Sequence, residues 1–306
     1  DFNCEKKEQR DIKECVDGKK TKCYIFTCDS KKFLTEMKVD IKYKKKPNQV
    51  IKAVTWARDY LQIGLDSLFG QSKYITKNQW SSVVQLKAQD SSFFLKKVPK
   101  GLFLEVAIIK LLQEKCKLTS IPSILASDKG LSCFLMKDCH AETLREHFQG
   151  SLQLELLTYA IKVYKSLQKA TTVYINDFIE LGVNDWRINK IPNIYNQLLK
   201  DKIFLQEAIL SPSEIARFEK YLPVLVDICN KLKSYGIDES LNHADFHDNN
   251  ILYNKVDNKI TIIDLGEICI SCSWFSLAGL LQDISWRYAL DKNSKEYLQI
   301  QDICYA

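Results

Sequence analysis

Between residues 49 and 68, apolar side chains fall at Val50, Ile51, Val54, Trp56, Ala57, Tyr60, Leu61 and Leu65, a spacing of three and four that predicts a helix. From Tyr74 the period shortens. Residues 82–87 and 92–98 read as strands joined through Ala88-Gln89-Asp90-Ser91 in a hairpin. Pro99-Lys100-Gly101 ends that unit, and residues 102–114 form an amphipathic helical pattern. Pro122 and Gly130 bracket a second strand pair that finishes with residues 131–136. After Cys139 the pattern turns helical. Residues 151–168, 194–210 and 212–235 predict three helices, the last opening on Ser211 as N-cap with Pro212 in its first turn and stopped by Gly236. Two short strands, 251–253 and 260–263, follow with a turn at 254–259. The order is a small β-sheet with one helix, then a helical body carrying a small hairpin, which predicts an α+β fold.

Charge is unevenly placed along this pattern. The chain carries 44 Lys+Arg and 38 Asp+Glu, a net +6. Residues 1–139 hold 27 basic and 16 acidic side chains (+11), and residues 140–306 hold 17 and 22 (−5), which together restore the total. A basic front half suits an anionic ligand and an acidic back half a cationic one. The Lys-rich residues 1–46 contain no basic motif interleaved with aromatics, so nucleic acid is not an expected partner. The longest uncharged apolar stretch, residues 268–281, is 14 long, short of the roughly 18 that span a membrane. Eleven cysteines follow no zinc-binding spacing, and most lie in apolar runs as small hydrophobes. A soluble, cytoplasmic protein in a reducing compartment is expected.

Chemistry is concentrated in His243-Ala-Asp245-Phe-His247-Asp-Asn-Asn250-Ile-Leu252, followed by Ile260-Thr-Ile-Ile-Asp264-Leu-Gly266-Glu267. Phosphoryl transfer needs one carboxylate to orient the attacking hydroxyl and take its proton. It also needs an amide oxygen and a second carboxylate to hold magnesium against the phosphates. An Asn five residues after Asp245 shares its tight loop, and Asp264, 19 residues beyond, ends a hairpin strand that returns to it. Gly266 is expected to let the backbone turn away at once. His243 reads as a structural loop residue. His247 reads as loop packing or as a contact to substrate or phosphate. Asp248, Glu267 and Asp283 read as solvated charges, with recognition of a cationic acceptor as the alternative.

This constellation resembles the kinase-like phosphotransferases, and within them the aminoglycoside phosphotransferase and choline kinase branch, which carries His-Gly-Asp with Asn at +5 and a strand ending in Ile-Asp. Ala244 stands at the Gly position, where protein kinases have Arg, and His247 where most Ser/Thr protein kinases have Lys. Both favour a small-molecule kinase. The resemblance covers roughly residues 74–281. It implies a bilobal protein-kinase-like fold: residues 1–68 as an extension capping the smaller lobe, 69–136 as that β-rich lobe, and 137–306 as the helical lobe. It implies ATP as phosphoryl donor (GTP being the other candidate), Mg²⁺ as cofactor, and a hydroxyl of an amino alcohol, aminoglycoside or sugar-like molecule as acceptor. Asp245 is then the catalytic residue, and Asn250 and Asp264 the metal ligands. Lys96 contacts the α- and β-phosphates, Glu105 pairs with it, and Met136, Lys137 and Cys139 form the adenine-binding hinge.

Departures keep other readings in view. The loop between the first two strands, Lys77-Asn78-Gln79-Trp80-Ser81-Ser82, has no glycine. Ser271-Cys272-Ser273 and Ser276-Leu277-Ala278 replace segments that in the family carry Asp. These favour a nucleotide-binding pseudokinase or scaffold, whereas the intact Lys96, Asp245, Asn250 and Asp264 favour an enzyme. A protein kinase is the third reading, opposed by the absence of an Ala-Pro-Glu segment after Asp264.

Overall fold

The computed structural model describes residues 48–62, 72–88, 91–201, 203, 205 and 210–306. The Lys-rich residues 1–46, the end of the first predicted helix, the hairpin tip at 89–90 and much of 202–209 lie outside them.

Helix α1 (Asn48–Leu61) precedes strands β1 (Ser72–Lys77), β2 (Ser82–Ala88) and β3 (Ser91–Lys97). A 3₁₀ turn (Lys100–Leu104) leads into α2 (Glu105–Glu114), and β4 (Ile124–Asp128) and β5 (Cys133–Lys137) complete an antiparallel sheet of order β1-β2-β3-β5-β4. Strand alternation sorts its two faces. Val84, Leu86, Leu95, Cys133 and Leu135 pack against α1, whose Ala53 and Ala57 are fully buried and let the helix lie close. The other face carries Lys96, directly opposite Phe134, and there Phe134 packs with Val106 of α2 and with Val98.

Beyond β5 come β6 (Glu142–Thr143), α3 (Leu144–Phe148), α4 (Leu154–Thr171), α5 (Ile175–Leu181), β7 (Asn184–Asp185), α6 (Ile191–Lys200) and α7 (Pro212–Ser234). The chain then forms β8 (Glu239–His243), β9 (Ile251–Asn254), β10 (Lys259–Ile262), β11 (Ile268–Cys272), α8 (Phe275–Arg287) and α9 (Lys295–Tyr305). Small sheets of order β10-β9-β6 and β7-β11-β8 are set among the helices. One core joins Leu157, Ile161 and Tyr164 of α4 to Ile251, Ile260 and Ile270 of the strands and Leu280 of α8. The fold is α+β, sheet-rich in front and helical behind, as the element order predicts.

Two strands were not legible in the sequence pattern. The apolar run 268–281 is not one element: β11 occupies Ile268–Cys272 with four of its five residues buried, a turn follows, and α8 begins at Phe275. A strand buried on both faces has no alternation to reveal it. Strand β8, with Leu241, Asn242 and His243 buried, was equally hidden.

Candidate active site

The site is built where the large sheet meets the helical part. Register places Lys96 on the inner face of β3, and its ammonium Nζ donates to both oxygens of Glu105 at 2.9 and 2.6 Å and to Asp264 Oδ1 at 2.6 Å. Burial alone lowers the pKa of this ammonium, but the charges of Glu105 and Asp264 and its hydrogen bonds to both outweigh burial and hold it well above the ordinary lysine value. Glu105 opens α2 and also accepts the Leu265 amide at 3.1 Å, so one buried carboxylate ties the lysine to the turn that carries Asp264.

Asp264 has φ 64° and ψ 50°, a left-handed conformation that short Asx side chains tolerate best. This residue makes the sharp turn that sequence reading gave to Gly266. Gly266 has no positive φ, and a Cβ there would stand 3.4 Å from Glu105 Oε2 and the Leu102 carbonyl, ordinary contact distance. The Lys96 charge holds the Asp264 carboxyl below its usual range, against the effect of its burial.

Asp245 follows β8. Its amide donates to His243 Nδ1 at 3.2 Å, and His243 Nε2 donates to the Ile263 carbonyl at 2.9 Å. Those partners fix a neutral Nε2–H tautomer, and burial lowers the pKa of this ring. His243 therefore braces the loop, with neither nitrogen left for proton transfer. His247 Nδ1 accepts the Asn249 amide, and its Nε2 lies 3.3 Å from Asp245 Oδ2. That hydrogen bond is the main cause of the lowered pKa of Asp245. Asn250 Nδ2 donates to the Asp245 carbonyl at 2.9 Å, which leaves its amide oxygen as the atom available to a cation.

A relay of neutral groups supports this loop from behind. The His243 amide donates to Tyr164 Oη at 2.8 Å and Ser276 Oγ at 2.9 Å; Tyr164 donates to Ser276, and Ser276 to Asn242 Oδ1 at 3.0 Å. Ser276 thus ties β8 to α8 and is completed by a hydroxyl from α4. Tyr164 was legible only as an apolar helix position, and Ser276 only as a missing charge.

Asp245 and Asp264 keep 52% and 49% of their side chains exposed, so both carboxylates remain open to a ligand. Burial together with the charges of Asp264 and Asp245 pushes Glu267 up to about 7. Among the described residues no three His, Cys, Asp or Glu side chains gather as a metal cage. The oxygens present, one amide and one carboxylate, suit a small hard cation such as Mg²⁺, which takes few protein ligands and completes its octahedron with phosphate and water.

Met136, Lys137 and Cys139 sit at the end of β5 and just past it. The Lys137 amide donates to the Ser123 carbonyl at 3.0 Å, and the Cys139 carbonyl accepts Asn254 Nδ2 at 3.1 Å. In the glycine-free loop, Asn78 Oδ1 accepts the amides of Trp80 at 2.9 Å and Ser81 at 2.7 Å, so a side chain holds the loop's shape.

A buried lysine joined to two carboxylates, with an Asp–Asn loop beside it, is an arrangement of the kind that phosphoryl transfer uses. The chain belongs to the phosphotransferase enzyme family, whose model matches residues 75–302. It is accordingly a phosphotransferase. No curated protein matches it in sequence. Among solved structures it is similar to a Plasmodium vivax ethanolamine kinase, with 14% identity and TM-score 0.61 over 95% of this chain and 82% of that one. It is also similar to an ADP-bound aminoglycoside phosphotransferase (15%, 0.53, 83% and 90%). The choline kinase of Streptococcus pneumoniae gives 12%, 0.51, 84% and 88%. These likenesses show the fold. Among the described residues no helix is long and apolar enough to cross a membrane.

Proposed function

We propose that this protein transfers the γ-phosphate of ATP, with Mg²⁺, to a hydroxyl of a small amino alcohol, aminoglycoside or sugar-like molecule. The observation that carries the reading is Lys96, whose single buried ammonium binds Glu105 and the half-exposed Asp264 together. Lys96 neutralises charge on the non-transferred phosphates, and Glu105 holds it in place. Asp245, kept ionised by His247, orients the acceptor hydroxyl and receives its proton. Asn250 and Asp264 hold the magnesium ion, which when bound neutralises charge building on the phosphate oxygens. Catalysis is then positioning and fixed electrostatics. Residues 136–139 supply the adenine contacts. In this organisation 69–136 belong to one lobe and 137–306 to the second. A reducing, cytoplasmic setting belongs to this reading, because most of the cysteines lie in apolar runs as small hydrophobes.

The test is thermal stability with and without saturating Mg²⁺-ATP, in wild type and Asp264→Ala. A magnesium-dependent rise in melting temperature that Asp264→Ala abolishes is expected. No shift in wild type overturns the nucleotide reading.

A further inference from the structure

Asp248 lies between the proposed catalytic residue and the proposed metal ligand of the same loop, and its surroundings match neither sequence-based reading of it. It is fully buried. A buried carboxylate is costly unless it is paired and hydrogen-bonded, and here every partner is present. Arg145 donates from Nε at 2.8 Å and from Nη2 at 2.5 Å, Tyr288 donates its hydroxyl at 2.7 Å, and Arg287 Nε stands 3.6 Å away. Asp283 shares both arginines, at 3.1 Å from Arg287 and 3.9 Å from Arg145. Two carboxylates and two guanidiniums cancel. The cluster is closed upon itself and leaves no charge for a cationic acceptor.

The partners come from elements on opposite sides of the loop. Arg145 is on α3, whose start is fixed by a capping box between Thr143 and Glu146, and β6 just before it pairs with β9 just after Asn250. Arg287 ends α8, and Tyr288 follows it. Asp248 itself begins the 3₁₀ turn that ends at Asn250. The loop's own backbone is closed by the Asn250 amide on the His247 carbonyl at 2.9 Å.

We propose that Asp248 is a positioning residue: through Arg145 and Tyr288 it fixes the turn that sets Asp245 and Asn250 relative to each other. Its effect on rate rests on the proposed function; its hold on the loop does not. A shift of about 1 Å in such a constellation costs roughly 10²-fold in rate.

The test uses Asp248→Asn, which keeps shape and removes charge, and Tyr288→Phe, which removes one hydroxyl. Amide hydrogen exchange over residues 243–252 is measured beside steady-state hydrolysis of Mg²⁺-ATP with water as acceptor. Asp248→Asn is expected to lose protection in that segment alone and to lower kcat about 10- to 100-fold with the KM for ATP within about two-fold. Tyr288→Phe is expected to change both in the same direction and by less. Unchanged protection of 243–252 in Asp248→Asn overturns the proposal, as does protection lost evenly across the helical part. Unchanged kcat overturns it too. Should wild type hydrolyse no ATP and show no Mg²⁺-ATP thermal shift, the proposed function fails, and the exchange data still decide whether Asp248 holds the loop.

Discussion

Replacing Lys96 by Met removes a cation from between two carboxylates, and the structure sets the size of the loss. The Lys96 and Glu105 side chains are 7% and 2% exposed, whereas Asp264 is 49% exposed. Removing one member of a buried pair costs roughly 3–5 kcal/mol. Water screens Asp264, and Glu105 keeps the Leu265 amide, so the lower end, about 3 kcal/mol, applies. At ~2 °C per kcal/mol for a chain of this size, the melting temperature should fall by about 6 °C. The deficit should also depend on pH. Without Lys96, burial and the Asp264 charge both raise the Glu105 pKa above its unfolded value. A group of that kind destabilises the fold as it ionises, so the deficit should be largest near pH 8 and shrink as pH falls towards 5. The double variant Lys96→Met/Glu105→Gln should recover most of the stability at pH 8 and none of the phosphate transfer. Calorimetric scans at pH 5 and pH 8 measure all of this. A Lys96→Met protein that melts within a degree of wild type at both pH values would refute the reasoning, because a buried, unpaired carboxylate cannot be free of cost.

Further outcomes follow from the same geometry. Asp245→Asn should keep the melting temperature and lower phosphate-transfer rate by several orders of magnitude, read by ethanolamine-dependent ADP formation from Mg²⁺-ATP with ethanolamine as trial acceptor. Burial holds the Glu267 carboxyl up at about 7, above the ordinary glutamate range, so its charge opposes folding at high pH. Glu267→Gln should therefore melt a few degrees above wild type at pH 8 in metal-free buffer, up to ~3 kcal/mol, and converge on it below about pH 4. Ser211→Ala removes the hydroxyl that accepts the Glu214 amide at the start of α7 and should cost about 1 kcal/mol in urea unfolding, with transfer activity unchanged.

The parts legible in the sequence were those set by local rules. Ser211, Pro212 and Gly236 marked α7 by cap, first turn and stop. What escaped depends on contacts distant in the chain. Asp248 looked like a solvated loop charge because its partner Arg145 lies 103 residues away. Ser276 looked like a loss because Tyr164, which completes it, sits 112 residues earlier on a helix face that reads as plain core. The turn after β10 was assigned to Gly266 because glycine is the usual residue for such a bend. The strain falls instead on Asp264, one of the few other residues that tolerates it.

That left-handed aspartate narrows the mutational routes open to this chain. Glu would keep the charge, but its longer side chain moves the carboxylate by a methylene and lacks the short reach that makes this backbone tolerable. Asn and Gly accept the backbone, and each discards the charge that meets Lys96. Asp meets both demands at once, so each of these replacements gives up either the charge that meets Lys96 or its position.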